Sequence, residues 1–319
     1  MAELSGSNFT NFTEMTAQGD TPNLAQEVGI ITIIINGVTC PFTVVLNVLV
    51  IMAVKKRRRL QSNTNILLAC LAVSDALTGL VVQPSFIVWK SFDLLNYNGI
   101  ENNVAEGCHK FFLRTLTVCS SLHLVLITWE RLMAVKFTMS YPCIVTKRKF
   151  KVALITFWSF AFLSEGIKYV SNNVVVRITF NLIVSLVMIF CIVFITASYA
   201  ILYRESRHLE SKIKTQQLPQ EEVRRFVKEN KALKTTAFVV SAVLLSFLPM
   251  AFGLTILSIV VGIKRDLNLN AVFVVLVPLA HTCAVLNSLL NPLIYCLRQK
   301  EMRKFVFRAP CKPVEPVMN

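Results

Sequence analysis

Seven hydrophobic runs, each long enough to cross a lipid bilayer, constrain this chain more than any other feature of its sequence. A helix needs about 20 mainly apolar residues to span the hydrocarbon core. In lipid a backbone must satisfy its own hydrogen bonds, so each run predicts a helix. The composition agrees, since 54% of the residues are hydrophobic and only 16% are charged. The runs are residues 29–54, 65–89, 108–135, 152–170, 174–203, 232–263 and 271–297.

The basic residues predict how these spans are oriented. A formal charge of +15 would suit a nucleic-acid-binding protein, but the charge is unevenly distributed. With the N-terminus outside, 26 of the 33 Lys and Arg residues fall on the cytoplasmic side. Cytoplasmic loops carry the basic excess in membrane proteins. We therefore expect a multi-pass plasma-membrane protein with an extracellular N-terminus and a cytoplasmic C-terminus. Its basic surface would face the lipid bilayer and cytoplasmic partners, and no nucleic acid.

The two ends of the chain predict separate tails around a membrane domain of residues 29–297. Residues 1–28 contain no Lys or Arg and carry two Asn-x-Thr sequons, which predicts an extracellular tail glycosylated at Asn8 and Asn11. Residues 298–319 begin with a basic amphipathic stretch, which predicts a short helix along the membrane and a cytoplasmic tail. Cys311 in that tail is either palmitoylated or a plain cytosolic thiol.

Polar residues inside the runs predict an internal site. Asp75 lies in the second run, where a charge costs at least about 2.5 kcal/mol and needs a partner. Asn47, Asn287 and Asn291 also lie in predicted spans, so we expect them to face other helices or internal water. Pro292 removes a backbone donor and predicts a bend in the seventh helix.

Four motifs lie within the hydrophobic runs or at their ends. They are Leu71-Ala72-Val73-Ser74-Asp75, Glu130-Arg131-Leu132, Ser246-Phe247-Leu248-Pro249 and Asn291-Pro292-Leu293-Ile294-Tyr295. Together they resemble the motifs of the rhodopsin-like (class A) G-protein-coupled receptors. Leu132 stands where the family has Tyr, and Ser246 and Phe247 stand where it has Cys and Trp. A short loop after the fourth run, with no cysteine to bridge it and no proline in the fifth run, is weakly similar to the melanocortin, lysophospholipid, cannabinoid and adenosine receptors.

The resemblance implies an all-α bundle of seven transmembrane helices with a short amphipathic eighth helix. It implies a receptor and not an enzyme, which transmits binding of an extracellular or lipid-borne ligand to heterotrimeric G proteins as the sixth helix moves outward. Arrestin is a further candidate partner. Arg131 would pair with Glu130 and Glu229 in the inactive state, although a solvated surface pair is the simpler alternative. The implied switch residues are Glu130, Arg131, Tyr199, Glu229, Asn291, Pro292 and Tyr295, with a hinge at Phe247 and Pro249.

The resemblance also implies an internal sodium site at Asp75, Ser120, Asn287 and Asn291. A carboxylate among hydroxyl and amide oxygens suits a small hard cation. The alternative is a neutral, hydrogen-bonded Asp75 that serves packing alone. No other cofactor is expected.

A ligand pocket is expected between the outer halves of the third, fifth, sixth and seventh helices. Leu113 stands where amine receptors carry their ligand-binding Asp, and no Lys in residues 271–297 could bind retinal. Arg114 could attract an anionic ligand or pair with Glu165, and we favour the pair. His281 is either a pocket group or an interior histidine. The candidate pocket residues are Leu113, Arg114, Thr117, Glu165, Phe247, Leu254 and His281.

Two other classes of membrane protein are less consistent with the sequence. A transporter with a polar midplane site would predict internal repeats with paired broken helices. The sequence has no evident repeat and an odd number of runs. An intramembrane enzyme would need a second acid, a Ser/His pair or metal ligands at membrane depth, and Asp75 has no evident acidic mate.

Overall fold

The secondary structure is helical, as the hydrophobic runs predict. A computed structural model describes residues 6–97, 99–137, 141–171, 173–215, 270–298 and 300–307. A 3₁₀ turn follows the first helix at Arg58–Leu60, and a π-helical segment, Thr78–Val82, joins α2 to α3. In this part of the chain the α-helices are α1 Gly6–Lys56, α2 Asn63–Leu77, α3 Gln83–Leu94, α4 Ile100–Lys136, α5 Tyr141–Ile144, α6 Lys147–Val170, α7 Val174–Thr215, α8 Asn270–Arg298 and α9 Lys300–Phe307.

Six helical segments among the described residues are long and apolar enough to span a membrane, and they match the predicted runs one to five and seven. The second span combines α2, the π-helical segment and α3, and the seventh span is α8. The predicted sixth run, residues 232–263, lies outside the described residues. The spans are Leu24–Lys56, Asn63–Leu94, Ile100–Lys136, Lys147–Val170, Val174–Glu205 and Leu276–Cys296.

Two helices begin eight or more residues earlier than predicted. α1 starts at Gly6 instead of residue 29, so residues 6–28 of the predicted tail are helical. α4 starts at Ile100 instead of Cys108. Hydropathy locates the apolar part of a helix, whereas the helix itself continues wherever its backbone hydrogen bonds do. The prediction therefore found the membrane-embedded portions and missed the polar extensions.

α4 lies at the centre of the bundle. It packs against α2 and α3 on one side and against α6 and α7 on the other, while α1 packs against α2, α3 and α8. The apolar core between these helices includes Leu71, Leu116, Ile127 and Val285. Large apolar side chains on the other faces of α1, α6 and α7 are exposed, as a lipid-facing surface requires.

α9 is the predicted short amphipathic helix. It follows α8 directly and packs against α1 as well. Met302 is fully buried beneath it, and the Arg57 guanidinium lies 5.8 Å from the ring centre of Phe305. The prediction of a short amphipathic helix after the seventh span is confirmed.

The π-helical segment brings the second span into close contact with α1. A π-bulge inserts one extra residue into a helix and often marks a functional site. Gly79 lies within it, and its carbonyl accepts a hydrogen bond from Cys40 Sγ at 3.2 Å. A Cβ at Gly79 would lie 2.8 Å from Val44 Cγ2 and 3.2 Å from the backbone nitrogen of Val44. Only glycine allows this approach of the two helices.

We predict that Gly79→Val destabilises the protein by about 1–3 kcal/mol, because the added methyl groups force α1 away from the second span. Thermal unfolding of the purified protein in detergent measures the loss. Gly166→Val is the matched control, since nothing lies within 4 Å of a Cβ at Gly166. Equal melting temperatures for the two variants would contradict the close packing described above.

Candidate functional site

A buried carboxylate connects the second and seventh spans. Asp75 is 1% exposed. Its Oδ1 accepts a hydrogen bond from Ser288 Oγ at 2.8 Å, and its Oδ2 accepts one from Asn291 Nδ2 at 2.8 Å. Both donors belong to α8, so the polar group that was predicted to need a partner is held by two.

The proline of the seventh span explains how the first span joins this cluster. Pro292 has no N–H, so the carbonyl of Ser288, four residues earlier, loses its usual helical donor. Asn47 Nδ2 donates to that carbonyl at 2.9 Å. The backbone acceptor that the proline leaves open is therefore satisfied from α1. Because Ser288 also donates its hydroxyl to Asp75, this one residue connects spans one, two and seven.

The residues predicted for a cation site surround one small cavity. Ser120 Oγ lies 3.1 Å from Ser74 Oγ, which attaches α4 to the cluster. The cavity has a volume of about 10 Å³, enough for one water-sized species. Asn287 lines it and is 3% exposed, yet its amide nitrogen and oxygen have no hydrogen-bond partner among the described residues. Asp75, Ser120, Asn287 and Asn291 all line this cavity.

These ligands are compatible with a small cation. A carboxylate has about four lone-pair positions, and Asp75 uses two of them for Ser288 and Asn291. Hydroxyl, amide and carboxylate oxygens are the donors that hard cations prefer. The unpartnered oxygen of Asn287 adds another donor in the same space.

At the predicted inner end of the bundle, Glu130 is held by three groups. It is 2% exposed, and it accepts from Thr64 Oγ1 at 2.8 Å and from the Tyr141 hydroxyl at 2.6 Å. The Nε of Arg131 lies 3.7 Å from Glu130 Oε2, beyond hydrogen-bond distance. Burial, followed by the hydrogen bond to Glu130, raises the pKa of Tyr141 to about 12. Glu130 is thus fixed mainly by neutral donors, and its contact with Arg131 is the weakest of the three.

The remaining switch residues are only partly described. Tyr295 is buried in the apolar core, and Tyr199 of α7 packs against the same core. Glu229, Phe247, Pro249 and Leu254 lie outside the described residues. The predicted contact between Arg131 and Glu229 therefore stays a prediction.

The candidate ligand residues divide among three places and do not line one pocket. Leu113 and Thr117, one helical turn apart, face the small cavity beside Asp75. Arg114, the next residue along from Leu113, is exposed and faces α6 and α7, because successive helix residues are about 100° apart. His281 is buried elsewhere.

The expected pair of Arg114 and Glu165 is wrong. Glu165 forms an ion pair with Lys168, one turn along α6, and both side chains are buried. Lys168 Nζ also donates to Asn181 Oδ1 at 3.1 Å. Lys168, three residues along the same helix, therefore occupies the carboxylate of Glu165. Arg114 forms no ion pair with a described residue.

His281 is an interior histidine with a specific partner. Its Nδ1 lies 3.1 Å from Nε2 of His109, and the Nδ1 of His109 faces the carbonyl of Val82 at 3.2 Å. A carbonyl only accepts, so His109 Nδ1 carries a proton. In a neutral ring its Nε2 then accepts from His281. Trp89 stacks on His109 with a ring-centre distance of 5.4 Å.

Sequence reasoning missed Thr64, Tyr141, His109 and Lys168. Glu165 and Lys168 are three residues apart in a helix, a spacing that favours ion pairs and could have been used. The contacts from Thr64, Tyr141 and His109 join distant segments, so no local pattern indicates them. They depend on how the helices are rotated against one another.

Comparison with known proteins identifies relatives along most of the chain. The family described as 7 transmembrane receptor (rhodopsin family) matches residues 46–295, which include the predicted sixth run. Trace amine-associated receptor 13c of Danio rerio is 31% identical over 82% of this chain and 80% of its own length. Alpha-1A adrenergic receptor of Cavia porcellus is 26% identical over 95% of this chain and 72% of its own length. Histamine H2 receptor of Cavia porcellus is 27% identical over 82% of this chain and 74% of its own length.

We predict that Tyr141→Phe destabilises the protein by about 1 kcal/mol through the lost hydrogen bond to Glu130. With the folded pKa raised to about 12, the stabilisation is complete below the unfolded pKa near 10 and is lost as the pH rises through 12. The difference between parent and variant in thermal unfolding should therefore be constant between about pH 6 and 9. Tyr203→Phe, which alters an exposed tyrosine, is the control. A difference that varies across this range would refute the assignment.

Proposed function

Because the chain belongs to the rhodopsin family of seven-transmembrane receptors, it is a multi-pass plasma-membrane receptor that binds a ligand and signals through G proteins, and we propose how its polar contacts carry the signal. Members of this family are receptors and not enzymes. The match gives no support to the transporter alternative. The family has a seven-helix bundle, and the predicted sixth run lies inside the matched residues.

The observation that carries the proposal is the pair of polar clusters that α4 joins. Toward the middle of α4, Ser120 reaches Ser74 beside Asp75, which is bonded to the seventh span. At the predicted inner end of the same helix, Glu130 holds the second span through Thr64. A small rotation of α4 would disturb both clusters at once, because packed interiors change between discrete arrangements.

In the proposed mechanism, ligand binding favours a second arrangement of the bundle. Arg131 is only loosely held by Glu130 at 3.7 Å, so little energy is needed to separate them. Its charge cannot be removed, and it therefore becomes available to a G protein. We propose that Glu229 restrains Arg131 in the resting state and that the sixth helix swings outward about Phe247 and Pro249. Tyr199 and Tyr295 would then move toward Arg131, and Pro292 supplies flexibility in the seventh span.

The proposed orientation places the N-terminus outside and the C-terminus in the cytoplasm. The one-sided distribution of basic residues supports it. Residues 1–28 would carry glycans at Asn8 and Asn11, and residues 298–319 would form the juxtamembrane helix and tail. Palmitoylation of Cys311 would add a second membrane attachment to α9. Arrestin is proposed as a second cytoplasmic partner.

The names of the relatives suggest amine ligands, but the site residues argue for another class. Leu113 is 2% exposed and stands where amine receptors carry a carboxylate. A protonated amine would lack its counter-ion there. A non-amine, non-retinal ligand is therefore proposed.

We predict that Arg131→Ala abolishes coupling. The measurement is exchange of a GTP analogue on added heterotrimers of each subtype, with membranes of cells that express the receptor, both basally and with a ligand library. Arg58→Ala removes an exposed arginine that forms no ion pair with a described residue, and this variant should signal like the parent protein. If the parent never stimulates exchange and Arg131→Ala changes nothing, the proposed mechanism fails.

We also propose that the small cavity beside Asp75 holds a sodium ion in the resting state. The oxygen ligands and the volume of about 10 Å³ support it. When bound, the cation would neutralise the carboxylate and stabilise the contacts between spans two, three and seven. Ser288 and Asn291 keep the carboxylate oriented through their hydrogen bonds.

Sodium should raise the melting temperature of the purified receptor relative to the same concentration of potassium. At about ten times the Kd the stabilisation is about 1.4 kcal/mol. Asp75→Asn keeps the size and removes the charge, so its melting temperature should respond equally to the two salts. A sodium response that survives in Asp75→Asn would eliminate the cation site.

A further inference from the structure

A larger polar cavity lies at the predicted outer end of the bundle, between α4, α6 and α7. Its volume is about 370 Å³, within the range of about 300–1,000 Å³ typical of small-molecule sites. Charged side chains from all three helices line it. They are Glu106, Lys110, Arg114, Glu165, Lys168 and Arg177.

The charges in this cavity do not balance. Glu106 pairs with Lys110, and Glu165 pairs with Lys168. Each carboxylate is taken by a lysine of its own helix, at a spacing of four or three residues. Arg114 and Arg177 form no ion pair with any carboxylate in the described part of the chain. Two guanidinium groups therefore face a cavity whose acids are already neutralised.

The pair that would have neutralised Arg114 internally is unavailable. Glu165 is 2% exposed and bonded to Lys168, and Asn181 holds Lys168 in place from α7. Arg114 would have to displace a buried lysine to reach this carboxylate. Breaking a buried ion pair is costly, because it leaves an uncompensated charge. Arg114 is exposed and available to a group that enters the cavity.

An aromatic wall adjoins the arginines. Phe111 and Tyr169 line the cavity and meet edge to face, with ring centres 5.9 Å apart. Phe162 adds a third ring, 6.2 Å from Phe111. A molecule that fits this site combines a negative charge with an apolar or aromatic body.

We propose that this cavity binds an organic anion, with Arg114 and Arg177 contacting its carboxylate or phosphate and Phe111 and Tyr169 contacting its apolar body. The inference deepens the receptor function proposed above and rests on it, since it names the ligand class. Guanidinium groups bind carboxylates and phosphates through paired N–H donors, which a lysine cannot reproduce.

Binding can be measured without a G protein, so failure of this inference is distinguishable from failure of signalling. The purified receptor in nanodiscs is melted with each of four probes. Phenylacetate and phenyl phosphate are water-soluble anions, and 2-phenylethylamine carries the opposite charge on the same ring. Dodecyl phosphate represents a membrane-borne anion.

At least one anion should raise the melting temperature, and 2-phenylethylamine should not. Stabilisation by phenylacetate or phenyl phosphate indicates a ligand from solution, and stabilisation by dodecyl phosphate alone indicates one from the membrane. Arg114→Ala and Arg177→Ala should each weaken the apparent affinity by about tenfold or more. Arg114→Lys should recover only part of it.

Glu106→Gln is the matched control of opposite sign. It releases Lys110 from its partner and should strengthen anion binding a few-fold, while a merely damaged cavity would weaken it. Only variants that melt like the parent protein without probe are compared. The proposal is overturned if 2-phenylethylamine alone stabilises the receptor or if no probe does. It is also overturned if the anions stabilise Arg114→Ala and Arg177→Ala as much as they stabilise the parent protein.

Discussion

The arrangement of this bundle depends on one carboxylate that lies inside the membrane. Asp75 is acceptable there only because Ser288 and Asn291 donate to it, and both donors come from the seventh span. Pro292, close to those donors, leaves the Ser288 carbonyl open to Asn47 of α1. A single buried acid and a single missing N–H thereby fix how three spans are rotated, which apolar packing alone would specify poorly.

The unequal contacts of Glu130 and Arg131 explain why the protein can adopt a second arrangement. Glu130 is well satisfied by Thr64 and Tyr141, whereas Arg131 depends on a contact of 3.7 Å. The acid keeps its partners when the arginine leaves, so separation does not leave a buried charge unpaired. A ligand at the outer end then needs to favour the second arrangement by only a modest difference in binding free energy.

Much of this could be predicted from the sequence because its strongest signals are local. Apolar runs located the six described spans, and the cost of a charge in lipid required partners for Asp75. The motif resemblance indicated Asn291. Contacts between distant segments were not predictable, as the His109–His281 pair and the bond from Tyr141 to Glu130 illustrate. The predicted pair of Arg114 and Glu165 does not form, because Lys168 of the same helix pairs with the carboxylate. Arg114 is therefore left for the proposed anion site.

The most direct test is a double-mutant cycle between Asp75 and Asn291. The free energy of unfolding is measured for the parent receptor, Asp75→Ala, Asn291→Ala and the double variant. If the hydrogen bond between them organises the spans, the two substitutions should be non-additive, with a coupling of about 1–3 kcal/mol. Additive effects would show that the two residues act independently and would contradict the account.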